Sequence, residues 1–541
     1  MFFEKLTLNA WLITTKNEED IKMIYKIALV TPSTYSHRTA EETIALGYLA
    51  SILRKQNHCV KIVDGWLRDL CSEEIISHIC QSGKPQIVGM SCYYSNLNQA
   101  KELLGLMRQR IGGIPIICGG YGPTFHDLDF LNAGFTVAVR GEAEHIIIPL
   151  IDSLMFRKDL SSLPGISYIK NGLIVRTNRT EPIEDLDLLP FPARDEMNIV
   201  KIRRNPAHVC TSRGCTGHCS FCSIYAFTRD ASKRSKWRQR SIQNIIDELR
   251  YLYENFGISC VKFVDDSFLE PPRDEKWVAK FSDRLSRYNI PFRFRTQVRA
   301  DRLTESIVRN LKGAGWFATS IGIENFSSSA LKRMGKSTSV EDNLKALGWL
   351  HKYGIYTQMG MILFDYQTTV EELEKNYHSL LKYDWVITKG IFTEMFAAKG
   401  TYYAQRLNRL GILSVDASQN YQYAIHDSTV RRVYRILKAW HKSHSYLYDW
   451  VIDSISAPKV LPDEGYAEIY SLCNKLMSCD VNFLGRVLEH IKNVSERDDD
   501  RIISNAIFEH SAFYAGIELS IKGAYEKYGL VYDGAPNPFI V

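Results

Sequence analysis

"CTSRGCTGHCSFCSIYAF", residues Cys210 to Phe227, places four of the chain's twelve cysteines within thirteen positions. Three of them, Cys215, Cys219 and Cys222, follow the spacing C-x-x-x-C-x-x-C, with an aromatic residue, Phe221, just before the last. Three thiolates on one short loop can hold three corners of a cubane iron-sulfur cluster, whereas a purely electron-carrying cluster usually has four cysteine ligands. One iron is then left open, and an open position on a metal is where a substrate or cofactor binds. Gly214 and Gly217 permit the backbone turns that let the three side chains converge. The alternative for the same residues is zinc, with Cys210 or His218 as fourth ligand. The other cysteines, Cys473 and Cys479 among them, form no second ligand set, so no auxiliary cluster is expected.

The loop sits in a regular context. From "AHVCTSR" onward, strand-like runs recur at Ala207 to Arg213, Cys260 to Val264, Phe292 to Gln297, Phe317 to Gly322, Ile355 to Met361 and Val386 to Phe392, with helical segments between them. In one such segment Ile242, Ile245, Ile246, Leu249, Tyr253 and Phe256 form an apolar stripe that stops at Gly257. Six βα units predict an incomplete barrel over residues 201–392, whose functional loops lie at the C-terminal ends of its strands. The cysteine loop follows the first of those strands.

Upstream, residues 1–155 alternate β-branched runs ("KIALVTP", "CVKIVDG", "IVGMSCYY", "PIICGGYGP") with helical spacing, which predicts a doubly wound parallel sheet. Leu97, Ala100, Leu104, Met107 and Ile111 mark one crossover helix, ended by Gly112-Gly113. Residues 156–200 read as a linker containing a hairpin, "ISYIKNGLIVRT", turned at Asn171-Gly172. Residues 393–541 are mainly helical and rich in tyrosine and tryptophan, with no legible motif; their aromatic residues fit helix-core packing better than a pocket lining. The fold class is therefore α/β: a Rossmann-like domain, a partial barrel and a helical C-terminal domain.

Length and composition set outer bounds. A chain of 541 residues exceeds one hydrophobic core. A formal charge of +6, spread without basic blocks, indicates no nucleic-acid surface. Glu4 and Lys5 interrupt the N-terminal apolar stretch, so neither a signal peptide nor a membrane span is expected and the reading is cytoplasmic. Cysteines in that compartment stay reduced, which favours metal over disulfides for the cluster of four.

The segment "SRGCTGHCSFC" resembles the signature of the radical S-adenosylmethionine (SAM) enzymes. "FVDDSFL" (Phe263 to Leu269), "VRADRLTESIVRNLKGAGW", "IGIENFSSSALKRMGK", "MGMILFDYQTTVEEL" and "GTYYAQRLNRLGIL" resemble later segments of the subgroup that carries an N-terminal cobalamin (B12) domain, in the same order. "ALGYLASILRKQNHCVKIVDG", "GGYGPT" and "VRGEAEHI" resemble that domain itself. The resemblance covers roughly residues 25 to 415.

It implies a [4Fe-4S] cluster on Cys215, Cys219 and Cys222, with SAM on the open iron. It further implies SAM contacts at Phe221, Asp265, Asp266 and Glu324. For Glu324 a strand-end salt bridge is the other reading, and for the two aspartates a helix cap. Cobalamin contacts are implied at Tyr93, Tyr94, Gly119, Gly120, Tyr121, Gly122, Pro123, Thr124, Gly141 and Glu142, at the C-terminal edge of the first sheet. No D-x-H-x-x-G motif occurs, and Gly122 stands where many relatives carry histidine, so no histidine is expected beneath the cobalt.

The implied activity is a cobalamin-dependent radical SAM methyltransferase. It cleaves SAM to a 5′-deoxyadenosyl radical and methylates an unactivated carbon of a small-molecule or peptide substrate, with electrons from a donor such as flavodoxin or ferredoxin. The alternative keeps the cofactors but ends in ring contraction, cyclisation or oxygen insertion. A methylthiotransferase would need three more cluster cysteines, and Cys59, Cys71 and Cys80 lack the wide spacing. A regulator that binds cobalamin or zinc without catalysis is the reading from another class.

Overall fold

The computed structural model describes residues 23–33, 41–228, 237–388, 390–415, 421–456 and 459–530. They form two compact units, one built mainly from Thr43–Glu181 and the other mainly from Met197 onward.

The first unit is a seven-stranded sheet of β1 (Lys26–Thr31), β2 (Cys59–Asp64), β3 (Ile87–Ser91), β4 (Ile116–Gly119), β5 (Val137–Val139), β6 (Ile166–Lys170) and β7 (Leu173–Arg176), in the order β2-β1-β3-β4-β5-β6-β7. β1 to β5 pair in parallel. Their near-continuous apolar runs follow from burial on both faces. Ala28 and Val30 enter one hydrophobic cluster, while their neighbours Ile27 and Leu29 enter the other. The helix Leu97–Arg110 buries Leu97, Ala100, Leu103, Leu104 and Met107, the stripe expected from sequence.

The hairpin forms around Asn171-Gly172, but it is not a free linker element. β6 pairs antiparallel with β5, through Ala138 opposite Ser167, and extends the sheet. A two-stranded hairpin has little stability alone, and β5 gains cover for its open edge. Pro182–Leu188, by contrast, belongs to the second compact unit, so residues 156–200 divide between the two.

The second unit contains a parallel sheet in sequential order: β8 (Ala207–Val209), β11 (Cys260–Phe263), β12 (Arg293–Arg299), β13 (Trp316–Glu324) and β14 (Tyr356–Met361). The run Ala207 to Arg213 divides into β8 and a short β9 (Ser212–Arg213), which turns aside to pair with β10 (Arg238–Gln239). Helices follow with a repeated start signal: the side chains of Ser241, Asp274, Thr304, Ser339 and Thr369 each accept from a backbone N–H three residues on. In the helix Ile242–Phe256, Leu252 is buried and Tyr253 is exposed, so the stripe turns slightly from the face expected.

The sixth strand expected at Val386 to Phe392 reduces to one parallel bridge, Ile387 to Gln358. Ile387 exchanges bonds with Thr357 and Met359, and then Gly390 at φ 109° takes the chain out of strand geometry. The C-terminal part is helical, with Ser428–His441, Ser445–Ser456, Asp463–Asn493 and Asp499–Tyr528. Trp440 and Tyr448 are buried in this bundle, as core packing requires. Among the described residues, no helix is long and apolar enough to cross a membrane.

Candidate functional site

Cys215, Cys219 and Cys222 line one cavity of about 270 Å³, together with Phe221, Asp266, Arg299, Glu324 and Lys336. Residues from the ends of β12, β13 and β14 complete it, so the cavity opens at the C-terminal side of the sheet, where βα folds carry their sites. The loop is held by main-chain bonds. Ser220 N–H donates to Met334 O at 2.8 Å, Tyr403 N–H donates to Ser220 O at 2.8 Å, and Cys222 N–H donates to Cys219 O at 3.1 Å. Gly335, at φ 69°, lies where a Cβ would come 3.1 Å from His218 O, so a glycine is what lets the turn after Met334 meet the loop.

Cys210 and His218 do not join the three thiols. Cys210 is buried and its thiol donates to Ser212 O at 3.2 Å, while His218 is exposed and packs edge-on against Tyr225. Among the described residues, His441, His444 and Asp480 form a set whose ligand atoms all lie within 4.8 Å of one another. Burial pushes the Cys215 thiol up to about 12, helped by Glu270, and burial raises Cys219 and Cys222 as well. Metal must therefore displace protons when it binds.

Glu324 is the most constrained acid in the cavity. Its backbone has φ 63°, rare for glutamate, and the β13–β14 register shifts between Gly322 and Glu324. A Cβ on Gly322 would come 2.7 Å from Glu324 Oε1, and one on Gly360 would come 3.4 Å from Oε2. The two glycines thus clear a platform for this carboxylate. Lys336 Nζ lies 3.3 Å from Oε1 and also donates to Gly322 O at 3.0 Å. Burial opposes the Lys336 charge, but Glu324 and Cys219 override it and raise its pKa.

Arg299 supplies the cavity's guanidinium. It makes a two-pronged pair with Asp301, at 2.9 and 2.7 Å, and its buried Nη1 makes no hydrogen bond but lies 3.6 Å from Glu270 Oε1, beside Gly217 and Cys215. A guanidinium in that place can also donate to an anionic group beside the thiols, such as a thiolate-held cluster or a carboxylate-bearing ligand. The residues therefore fit a [4Fe-4S] cluster with SAM: three thiols, a guanidinium donor and a carboxylate on a glycine platform.

The paired aspartates separate. Asp265 is fully buried and lies off the cavity wall, where it accepts from Thr211 N–H at 2.6 Å and from the hydroxyls of Thr211 and Ser212, with Arg273 3.5 Å away. Asp266 lines the cavity and accepts from Gly214 N–H at 2.9 Å, at the start of the cysteine loop. Sequence reasoning missed Arg299 and Lys336, although both lie in segments quoted for the resemblance. It also missed Glu270, whose carboxylate lies 3.3 Å from Cys215 Sγ and 3.1 Å from Arg302 Nε.

In the first unit, the strand order puts the reversal of winding between β1 and β3, and the sites named for cobalamin follow β3, β4 and β5. Tyr93 is 38% exposed and stacks parallel to Tyr121 at 6.2 Å, and Trp66, which the sequence reading overlooked, meets Tyr93 edge-on at 5.8 Å. Thr124 ties two loops together by donating to Gly120 O at 2.7 Å and accepting from Gly141 N–H at 3.0 Å. Gly141 faces open space, where a bulky ligand can approach the backbone, and a Cβ on Gly119 would make only ordinary contact with Val139, at 3.7 Å.

At Gly120 and Gly122 close packing alone requires glycine. A Cβ would meet Cys92 O at 2.8 Å from the first and the Tyr93 carbonyl carbon at 2.7 Å from the second. Tyr94 stacks on His126 at 3.6 Å, and Pro123 is buried beside Gly122. Glu142 is half-buried on the loop after β5. An aromatic wall beside open glycine backbone fits the flat, bulky corrin of cobalamin.

Comparison with known proteins agrees with this reading. Residues 209–380 match the family model described as the radical SAM superfamily, and residues 37–150 match that of the B12 binding domain. The chain is 28% identical over 375 residues to an uncharacterized methyltransferase of Pyrococcus horikoshii, covering 67% of this chain and 79% of that one. It is 26% identical over 353 residues to the anaerobic magnesium-protoporphyrin IX monomethyl ester cyclase of Rubrivivax gelatinosus, covering 63% and 61%. Its fold is similar to the cobalamin-dependent S-adenosylmethionine radical enzyme OxsB with aqua-cobalamin bound, at a TM-score of 0.74 and 20% identity, covering 93% and 80%.

Two substitutions test these assignments. Burial raises Asp266 to about 6, with Asp265 adding to the effect, so the folded chain keeps a proton that the unfolded chain releases near the ordinary carboxyl range. Its stability contribution therefore falls as pH rises from about 4 to about 6 and stays low above. Asp266→Asn removes that cost, so urea unfolding of the apo chain should show the variant gaining on the parent across this window; an equal difference at both ends contradicts the assignment. Gly122→Ala should destabilise the apo chain by about 1–3 kcal/mol, the usual range for overpacking. An unchanged unfolding midpoint without cobalamin would return Gly122 to a purely ligand-facing role.

Proposed function

The chain belongs to the cobalamin-dependent radical SAM enzymes, and from that premise we propose that it methylates an unactivated carbon of a small-molecule or peptide substrate. The observation that carries the site assignment is the Glu324 carboxylate on its Gly322–Gly360 platform, facing Cys215, Cys219 and Cys222 across one cavity. When bound, the cluster, SAM and cobalamin supply radical generation and methyl carriage, which is chemistry that no side chain provides.

The protein's own part is positioning and exclusion of water. Glu324 can accept from a SAM ammonium or ribose hydroxyl, and Lys336 holds that carboxylate in place. Arg299 Nη1 offers a donor to an anionic group beside the thiols. Phe221 adds an apolar wall. Substitution at an unactivated carbon needs no general base, and the acids of the cavity are engaged: Glu324 with Lys336, and Asp266 with Gly214.

Support for methyl transfer comes from the Pyrococcus relative, described as a methyltransferase. The cyclase of Rubrivivax supports a second reading, with the same cofactors and a non-methylating outcome. We also propose a small electron-transfer protein, a flavodoxin or ferredoxin, as reductant.

Anaerobic turnover with candidate substrates separates the two readings. A product heavier by one methyl group, formed with 5′-deoxyadenosine, supports methylation, and a product without that gain supports the second reading. Glu324→Gln should weaken SAM binding about tenfold or more at matched iron content, because losing a charged hydrogen bond costs about 1.5–3 kcal/mol. Unchanged affinity in that titration would assign Glu324 to backbone architecture alone.

A further inference from the structure

The C-terminal helices contain a second cluster of metal-ligating side chains. His441 ends the helix Ser428–His441, His444 lies in the turn that follows, and Asp480 sits midway along Asp463–Asn493. His444 and Asp480 are fully buried, and the His441 side chain is 19% exposed. His444 Nε2 lies 2.9 Å from Asp480 Oδ1, and His441 Nδ1 lies 3.5 Å from Asp480 Oδ2.

The proton on His444 can be placed from its neighbours. Ser443 Oγ donates its hydrogen to Trp440 O at 2.7 Å, so it can only accept from His444 Nδ1, 3.3 Å away. With Nδ1 carrying a hydrogen, Nε2 faces the carboxylate either as an imidazolium or as a bare lone pair. The Tyr448 hydroxyl, donating to Asp480 Oδ2 at 2.6 Å, already supplies that oxygen with a hydrogen bond. His441 Nδ1 is buried and makes no well-formed hydrogen bond: its one contact here is with Asp480 Oδ2, at the long distance of 3.5 Å. Hydrogen bonding alone leaves that atom weakly satisfied.

A cation can take the place of these contacts. Ligand atoms about 2.0–2.2 Å from a tetrahedral metal stand about 3.3–3.6 Å apart; the 3.5 Å from His441 Nδ1 to Asp480 Oδ2 matches that spacing, and the 2.9 Å from His444 Nε2 to Asp480 Oδ1 has to widen by a few tenths of an ångström on binding. All three ligand atoms lie within 4.8 Å of one another. The surrounding groups match the outer shell that metal-binding histidines and carboxylates have: Ser443 on His444 Nδ1 and Tyr448 on the carboxylate. Tyr514 stacks on His444 at 4.2 Å and fixes its ring, and Gly390 leaves room for His441, whose Nε2 would lie 3.4 Å from a Cβ there.

We propose that His441, His444 and Asp480 hold one divalent first-row transition-metal ion, zinc by preference, that ties the helix Ser428–His441 to the long helix Asp463–Asn493. Two imidazoles and one carboxylate leave at least one position for water, and the ion balances a carboxylate buried inside a helical bundle. This site is separate from the cysteine cavity, and its assignment does not depend on the reaction proposed above.

The test uses untagged full-length chain in which Cys215, Cys219 and Cys222 are all replaced by alanine, so that no cluster thiol competes for metal. Chelator-treated protein is loaded with zinc chloride, desalted and analysed by inductively coupled plasma mass spectrometry. About one zinc per chain is expected, with a zinc-dependent rise in the unfolding temperature. His441→Ala, at the partly exposed position, should lose the bound zinc and that rise while keeping its helical circular dichroism, and Asp480→Asn should lose both as well. Absence of bound zinc in the parent, or full zinc stoichiometry in His441→Ala, overturns the proposal.

Discussion

Two main-chain hydrogen bonds, Ser220 N–H to Met334 O and Tyr403 N–H to Ser220 O, hold the cysteine loop in the second unit. The loop follows β8, Met334 lies just before the turn that carries Lys336, and Tyr403 belongs to the helix Tyr402–Arg409. Three distant segments therefore meet on one residue between two of the thiols. The loop cannot shift without moving Lys336, and Lys336 cannot shift without releasing Glu324. Backbone bonds suit this task because they need only a particular chain path, and the side chains remain available for ligands.

Adjacent acids show how a site is layered. Asp265 points into the protein and, with Thr211, Ser212 and Arg273, forms a buried polar layer beneath the loop. Arg273 stacks over Trp277, with its guanidinium carbon 4.4 Å from the ring centroid, so its charge is covered by aromatic faces as well as matched by the carboxylate. Asp266 points the other way, into the cavity, and receives the first N–H of the loop. The chain bends at Asp266, just past the end of β11, and the two neighbours part there: one aspartate goes to architecture and the other to the cavity wall.

What could be read from the sequence follows the range of each signal. The apolar runs of β1 to β5 and the stripes of the crossover helices are local, and they appear as expected because burial on two faces leaves an unambiguous pattern. The three cysteines were legible for the same reason: their spacing is local. The approach of Arg299 Nη1 to the cysteine loop and the glycine platform under Glu324 were not, since each depends on a neighbour distant in the chain. The bridge at Ile387 could not be told from a strand, because "VITKGIF" carries strand-like residues and nothing in their types announces the positive φ of Gly390. Gly120 and Gly122 were legible as glycines but not as packing residues, for Cys92 and Tyr93 press on them from the loop after β3. Trp66 gave no local signal at all, and only the sheet brings it to Tyr93.

A cluster held by Cys215, Cys219 and Cys222 would present its open iron to SAM in the cavity beside them. Electron-nuclear double resonance of the reduced, anaerobically reconstituted chain tests it directly, using SAM isotopically labelled at its amino nitrogen. The account predicts a hyperfine coupling from that nitrogen to the cluster, present in the parent and absent without SAM. A reduced cluster whose spectrum shows no coupling to the bound, labelled SAM would contradict it.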